Sequence, residues 1–319
     1  MTQMSIYYMN SLIMLILIII LNLISVAFLT LFERKIMGLF HYRKGPNKNF
    51  FIGILQPFND AIKLMMKEYF FPKKSKFYLY LTSPMMMFFL IMLTWMIYPF
   101  MTNLIYFENN MLYFLSMLSM GVYGLILAGW SSNSSFSMIG AIRSIAQSIS
   151  YEVIFAISIL LMLMIINSMN LFNLMKFNKF INMFLIFLPL NLIILISMMA
   201  EINRTPFDLS EGESELVSGF NIEYSSSKFI LIFLAEYSSL MFMMFFFNYL
   251  YFFMKMNFMF YFKIILMIFF ITWIRMTYPR IRYDKLMKLC WIYLLPMNLM
   301  LFLIFLINLK LNFDQNMLF

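Results

Sequence analysis

Six of the chain's fourteen carboxylates fall within the 26 residues MMAEINRTPFDLSEGESELVSGFNIE, from Met198 to Glu223: Glu201, Asp208, Glu211, Glu213, Glu215 and Glu223. One base, Arg204, stands among them, and the flanking sequence is almost wholly apolar. Two further acids, Glu152 in SYEV and Glu236 in LAEYSS, lie inside apolar runs. Carboxylates spaced this closely repel one another and titrate as a set, so the chemistry they offer is uptake and release of protons. At mid-bilayer a charged side chain costs about 2.5–3.5 kcal/mol on insertion scales, so such acids face a polar interior, pair, or hold a proton. The plainer alternative for Glu152 and Glu236 is a protonated side chain making a helix-packing hydrogen bond. Arg34, Arg43, Arg204, Arg275 and Arg280 supply fixed positive charge against these acids. Charges at a cavity mouth, with Phe, Met, Leu and Ile on the surrounding helices, suit an amphiphile with a polar head and a long apolar tail. The surplus of arginine argues against a simple cation pore.

The elements that must hold these residues are membrane helices. Apolar residues make up 63% of the 319 and charged residues 12%, about half the share in ordinary soluble domains. The apolar runs are continuous rather than alternating, which argues against strands. The reading is all-α: a polytopic membrane protein, one integral membrane domain over 1–319, with about eight transmembrane helices plus an amphipathic surface helix in loop one. The spans fall at about 5–31, 78–100, 111–130, 138–166, 181–200, 225–253, 260–278 and 289–309. Eighteen of the 23 bases lie in loop one, at the start of span four, and in loops five and seven, the last two including Lys228 and Arg282. By the positive-inside rule that side faces the cytoplasm or matrix, with both termini opposite. The net charge of +9 is therefore a matter of topology, and no nucleic acid is expected as partner.

Loop one carries Phe51, Ile54, Leu55, Phe58, Ile62, Met65 and Met66 at helical spacing, with Asp60, Lys63 and Lys67 off that stripe. This predicts a helix at the membrane surface, kinked at Pro57, whose apolar face can also roof a cavity. Glu33 and Arg34 are expected to end the first span. Span four opens with Arg143, Gln147 and Ser150 on one face and Ser144, Ser148 and Tyr151 on another, leading down to Glu152. Ser210-x-x-Glu213 is a capping-box pattern for a short helix from Glu211 to about Val217, ending at Gly219. One Cys, Cys290, and one His, His41, exclude a four-Cys iron–sulfur site, a bis-His haem or a zinc site within this chain alone, so no metal is expected and electrons must come from a partner. The 36 Met and 40 Phe, alongside plentiful Ile, Asn, Lys and Tyr, follow AT-rich codons more simply than they indicate a Met-lined groove. With no cleavable signal or Arg-rich transit peptide in view, this fits a protein made inside the organelle that uses it.

The blocks ERKIMGLFHYRKGPN, LQPFNDAIKLMMKE, IGAIRSIAQSISYEV, AEINRTPFDLSEGESELVSGFNIEY, AEY and WIRMTYPRIRYDKLMKLCW resemble, in order, the membrane subunit 1 family of NADH:ubiquinone oxidoreductase, respiratory complex I, of the mitochondrial type. The resemblance implies a core membrane subunit that docks the hydrophilic arm, forms the quinone-access tunnel and begins the relay coupling quinone reduction to proton translocation. Its implied tunnel residues are Glu33, Arg34, Arg43, Asp60, Arg204, Asp208, Glu211, Glu213, Glu215, Arg275 and Arg280. Its implied relay acids are Glu152, Glu201, Glu223 and Glu236. Ubiquinone is the implied substrate, while NADH, FMN and the iron–sulfur clusters belong to partner subunits. The implied partners are the quinone-binding and iron–sulfur subunits of the hydrophilic arm, the adjoining proton-pumping membrane subunits and membrane lipid. The implied location is the mitochondrial inner membrane, termini in the intermembrane space and charged loops in the matrix. The sequence departs from the family at His41, often Gln, at Asn49-Phe50-Phe51, often a Gly-Pro pair, and at Ser225-Ser226-Ser227-Lys228, often a small-residue Gly-Pro run. The rival readings are a secondary ion or solute transporter acting alone, which predicts internal repeats and broken helices; a purely structural anchor, which has no need of intramembrane Glu; and the matching subunit of a membrane-bound hydrogenase.

Overall fold

The computed structural model describes residues 2–99, 108–179, 183–210, 212, 216, 219–252 and 256–317. Among these the regular elements are all helices: α1 (Thr2–Phe40), α2 (Gln56–Met65), α3 (Phe77–Thr94), α4 (Asn110–Ser132), α5 (Ser135–Ile166), α6 (Leu171–Asn178), α7 (Met183–Ile186), α8 (Leu188–Glu201), α9 (Ser226–Phe252), α10 (Phe258–Thr277), α11 (Tyr283–Lys288) and α12 (Leu295–Met317). A π-helical stretch, Leu289–Leu294, joins the last two. Seven helices among the described residues are long and apolar enough to cross a membrane, so the chain is an all-α polytopic membrane protein.

Three boundaries differ from the sequence expectation. Helix α1 runs on to Phe40, because nothing in ERKIMGLF breaks it before Tyr42 turns left-handed at φ 54°. Glu33 and Arg34 therefore sit inside a helix rather than at its end. The fifth span is split at Phe187 into α7 and the 14-residue α8, with Pro189 in the first turn of the second piece. Proline is tolerated there because that amide has no intrahelical acceptor. Pro57 likewise occupies the first turn of α2 and starts that helix instead of kinking it.

Two helices organise the bundle. Helix α5 packs against α4, α8 and the last span, and α9 packs against α1, α2, α3 and α10. Between them Phe114, Phe155, Phe242 and Phe246 form a ring-on-ring core, with Phe114 and Phe246 centroids 4.3 Å apart. Asn133 and Asn167 end α4 and α5 in the left-handed region, a conformation Asn accepts more readily than most side chains. Small residues let the backbones approach closely. A Cβ built on Gly140 of α5 would lie 3.1 Å from the Gly219 Cα, 3.2 Å from the Phe220 amide nitrogen and 3.2 Å from the Ser210 carbonyl oxygen. All three neighbours are backbone and belong to the acidic segment, before and after its Glu211, Glu213 and Glu215 cluster in sequence. Gly140→Ala is therefore expected to destabilise the chain by about 1–3 kcal/mol through overpacking. A lower thermal midpoint of the solubilised protein, with Gly121→Ala unchanged as control, is the measurement that checks it.

Helix α2 lies across α1 and α9. Its stripe of Phe51, Ile54, Leu55, Phe58, Ile62, Met65 and Met66 is exposed, while Pro57 is buried and Asp60 is half-buried beneath it. The stripe is largely exposed, as an interfacial helix requires, and its Phe58 ring meets Phe28 of α1 edge-on with centroids 6.0 Å apart.

Candidate functional site

The acidic segment begins where α8 ends. The Gln147 side-chain amide, wholly buried on α5, donates to the Ala200 and Phe207 carbonyls at 2.8 Å each. That single side chain pins the end of α8 to the turn that follows, and so orients Glu201 and Arg204 between its two anchor points. Both line a cavity between α3, α4, α5 and α9. One end of the cavity is apolar, formed by Met87, Leu90 and Ile91 of α3 with Met117, Leu118 and Gly121 of α4. The other end carries Ser148, Glu201, Asn203, Arg204, Ser210 and Glu236. About 130 Å³ is open to the centre of a water molecule. One water needs roughly 10–15 Å³ on that measure, so the hollow has room for several. Glu201 Oε1 and Asn203 Oδ1 are buried at its wall and have no hydrogen-bond partner among the described residues. Glu152, half-buried on α5, lies near enough to Glu201 to interact with it electrostatically.

A second group of charges leads away from the hollow. The Arg204 guanidinium stacks on the Tyr237 ring at 4.3 Å from its centre. The Tyr237 hydroxyl donates to Glu33 Oε2 at 2.9 Å, and Arg275 approaches the same oxygen at 3.4 Å. Glu33 is 2% exposed, so this carboxylate is held by a phenol and a guanidinium in an interior where an isolated charge is costly. Tyr237 thus connects the cavity wall to the α1 acid. Arg280 pairs with buried Asp208 at 3.5 Å, and the Ile281 amide donates to the Pro206 carbonyl at 2.9 Å, which docks loop seven on the acidic segment.

The remaining sites lie farther out. Arg34 pairs with Asp60, whose other oxygen accepts from Gln56 at 2.8 Å. Arg43 borders an open surface pocket with Arg34, His41 and Lys44. Glu223 is half-buried, and its backbone carbonyl accepts the Tyr80 hydroxyl. Glu211, Glu213, Glu215 and the expected short helix around them lie outside the described residues. The structure therefore brings Glu201, Arg204 and Glu236 to one hollow, and brings Glu33 and Arg275 together beside it. Asp208–Arg280 and Arg34–Asp60 stand as separate pairs. Tyr237 and Gln147 join the site although their place in the sequence gave them no assigned role. The signal was present, since a hydroxyl or amide inside an apolar span must find a partner. Among the described residues no three His, Cys, Asp or Glu side chains cluster as a metal site.

Fold and site together define a class: a polytopic helical membrane protein with a charge-lined chamber enclosed by its helices. Residues 13–306 match the family described as NADH dehydrogenase. The chain is 47% identical to NADH-ubiquinone oxidoreductase chain 1 of Aedes aegypti, over 98% of this chain and 99% of the relative. It is 48% identical to the protein of that name from Locusta migratoria, over 93% and 95%. It is 38% identical to the protein of that name from Mytilus edulis, over 86% and 90%. The chain belongs to the NADH dehydrogenase family.

Proposed function

We propose that this chain is the core membrane subunit of a proton-pumping NADH:ubiquinone oxidoreductase, providing quinone access and the first part of the proton relay. The carrying observation is the hollow whose polar end joins Glu201, Arg204 and Glu236, linked through Tyr237 to Glu33 and Arg275. Ubiquinone approaches from the bilayer near α1, α2 and α9, where the paired charges Arg34–Asp60 and Glu33–Arg275 offer polar partners to its head group. A change of charge there reaches Arg204 through Tyr237. The neck carboxylates, Glu201 among them, respond by exchanging protons, and the change passes through Glu223, Glu236 and Glu152 to adjoining pumping subunits. The neck acids Glu211, Glu213 and Glu215 belong to the same responding set. One Cys and one His cannot ligate a cluster, so NADH oxidation, FMN and the iron–sulfur centres are assigned to hydrophilic-arm partners. The location is the mitochondrial inner membrane, with charged loops in the matrix and both termini in the intermembrane space.

Gly121 provides a test of the hollow itself. It lines the cavity, and a Cβ built on it meets nothing within 4 Å. Gly121→Phe places a ring in that space without a clash at the backbone, and Gly121→Ala does not fill it. In the assembled complex the Phe variant is expected to lose ~10-fold or more in quinone-coupled proton pumping, as relay geometry is disturbed, and the Ala variant to stay near wild type. Pumping at the wild-type rate with Phe in place would remove the hollow from the mechanism.

A further inference from the structure

Lys228 stands where loop-side bases were expected, yet it is 4% exposed in the first turn of α9. Two effects disfavour a cation there. The positive end of the helix dipole opposes it, and its Nζ has no hydrogen-bond partner among the described residues. What surrounds it instead is aromatic. The ammonium lies 3.9 Å from the ring centre of Phe71, 4.0 Å from Tyr80 and 4.5 Å from Tyr69. Three ring faces around one buried ammonium are a strong form of the cation–π contact, because no water competes.

The cage joins three separate stretches. Tyr69 and Phe71 end loop one, Tyr80 belongs to the first turn of α3, and Lys228 follows the exit of the acidic segment. The Phe70 amide donates to the Ser225 hydroxyl at 3.1 Å, beside the cage. The Tyr80 ring stacks on Tyr224 with centroids 4.5 Å apart and planes within 4°. The Tyr224 hydroxyl in turn meets Ser83 at 3.0 Å, Ser131 at 3.1 Å and the Ala128 carbonyl at 3.1 Å. Glu223, whose carbonyl accepts the Tyr80 hydroxyl, is the only acid in this knot of residues 223–228.

We propose that Lys228 is a positioning residue for Glu223: its caged ammonium clasps the end of loop one and the start of α3 onto the segment that carries this acid. The proposal rests on the reading of Glu223 as a relay acid. Its test uses the assembled complex with Lys228→Met, which keeps an unbranched apolar chain against the rings but removes the charge, and Lys228→Arg, which restores a cation. Two quantities are measured: backbone hydrogen exchange at residues 69–76 and 219–225, and protons pumped per quinone reduced. Loss of a desolvated cation–π cage is expected to speed exchange in both stretches by about 10-fold in Lys228→Met, with Lys228→Arg close to wild type. Pumping per quinone falls in Met and recovers in Arg. Slow exchange in Lys228→Met, or equal loss in Met and Arg, overturns the clasp, since packing alone then suffices. Faster exchange with unchanged pumping overturns the positioning role. Glu223→Gln separates the two ideas: wild-type pumping in that variant removes Glu223 from the relay whatever Lys228 does. Should Lys228→Met fail to assemble, Tyr69→Leu opens only the exposed rim of the cage, and the same two measurements decide the outcome.

Discussion

Glu201→Gln is expected to lower quinone-coupled proton pumping per assembled complex by about 10²-fold, the lower end of what removing a group that gives and takes protons does. Gln has the shape of Glu and keeps a hydrogen-bonding carbonyl oxygen, so the end of α8 and its Gln147 anchor should survive. What it lacks is an exchangeable acid proton. Glu201 is where that lack should be felt most, because it lines the hollow with Arg204 and Glu236 and lies within electrostatic reach of Glu152. One of its oxygens is buried with no protein partner among the described residues. Asp208, held by Arg280 at 3.5 Å, is placed differently and should respond more as a structural pair. Pumping and quinone reduction within twofold of wild type in Glu201→Gln, at normal assembly, would detach the acidic neck from the coupling step.

The second large effect is on stability. Arg275→Met should cost about 3 kcal/mol, near the lower end of the range for breaking a buried ion pair, because the Arg275 side chain is 30% exposed while its partner is almost wholly enclosed. Methionine retains most of the apolar stem, so the loss is that of charge. It leaves the Glu33 carboxylate with the Tyr237 hydroxyl as its remaining named partner in the pair's interior. If the damage comes from that stranded charge, Glu33→Gln should repair it. The double variant is expected to regain most of the assembled yield and thermal midpoint lost in Arg275→Met, a coupling that two independent sites would not show. A double variant as unstable as the sum of its parts would mean that Glu33 and Arg275 act separately.

The spans and their order were legible in the sequence because the bilayer leaves a chain few choices: long apolar stretches must bond their own backbone, and helices do that locally. Their ends were less legible. Charged residues do not terminate a helix, so Glu33 and Arg34 continue α1, whereas the left-handed Tyr42 and the Gly45-Pro46 turn beyond it are what stop the chain. Pro57 read as a kink and the fifth span read as unbroken across Pro189, but both prolines open a helix, and only the surrounding structure decides that.

The candidate site divides the same way. That acids crowd between two spans and that arginines share their side of the membrane follows from residue type and spacing, because desolvation penalises any ionisable group in an apolar run regardless of its neighbours. Which acid meets which base does not follow. Glu33 is 242 residues from Arg275 and 204 from Tyr237, and no periodicity carries information over such separations. Nor could spacing reveal that Lys228 would leave the loops for an aromatic cage. Helix packing alone sorted the carboxylates into those fixed in pairs and those bordering an open hollow, since that outcome depends on how side chains from five helices fill, or fail to fill, a common volume.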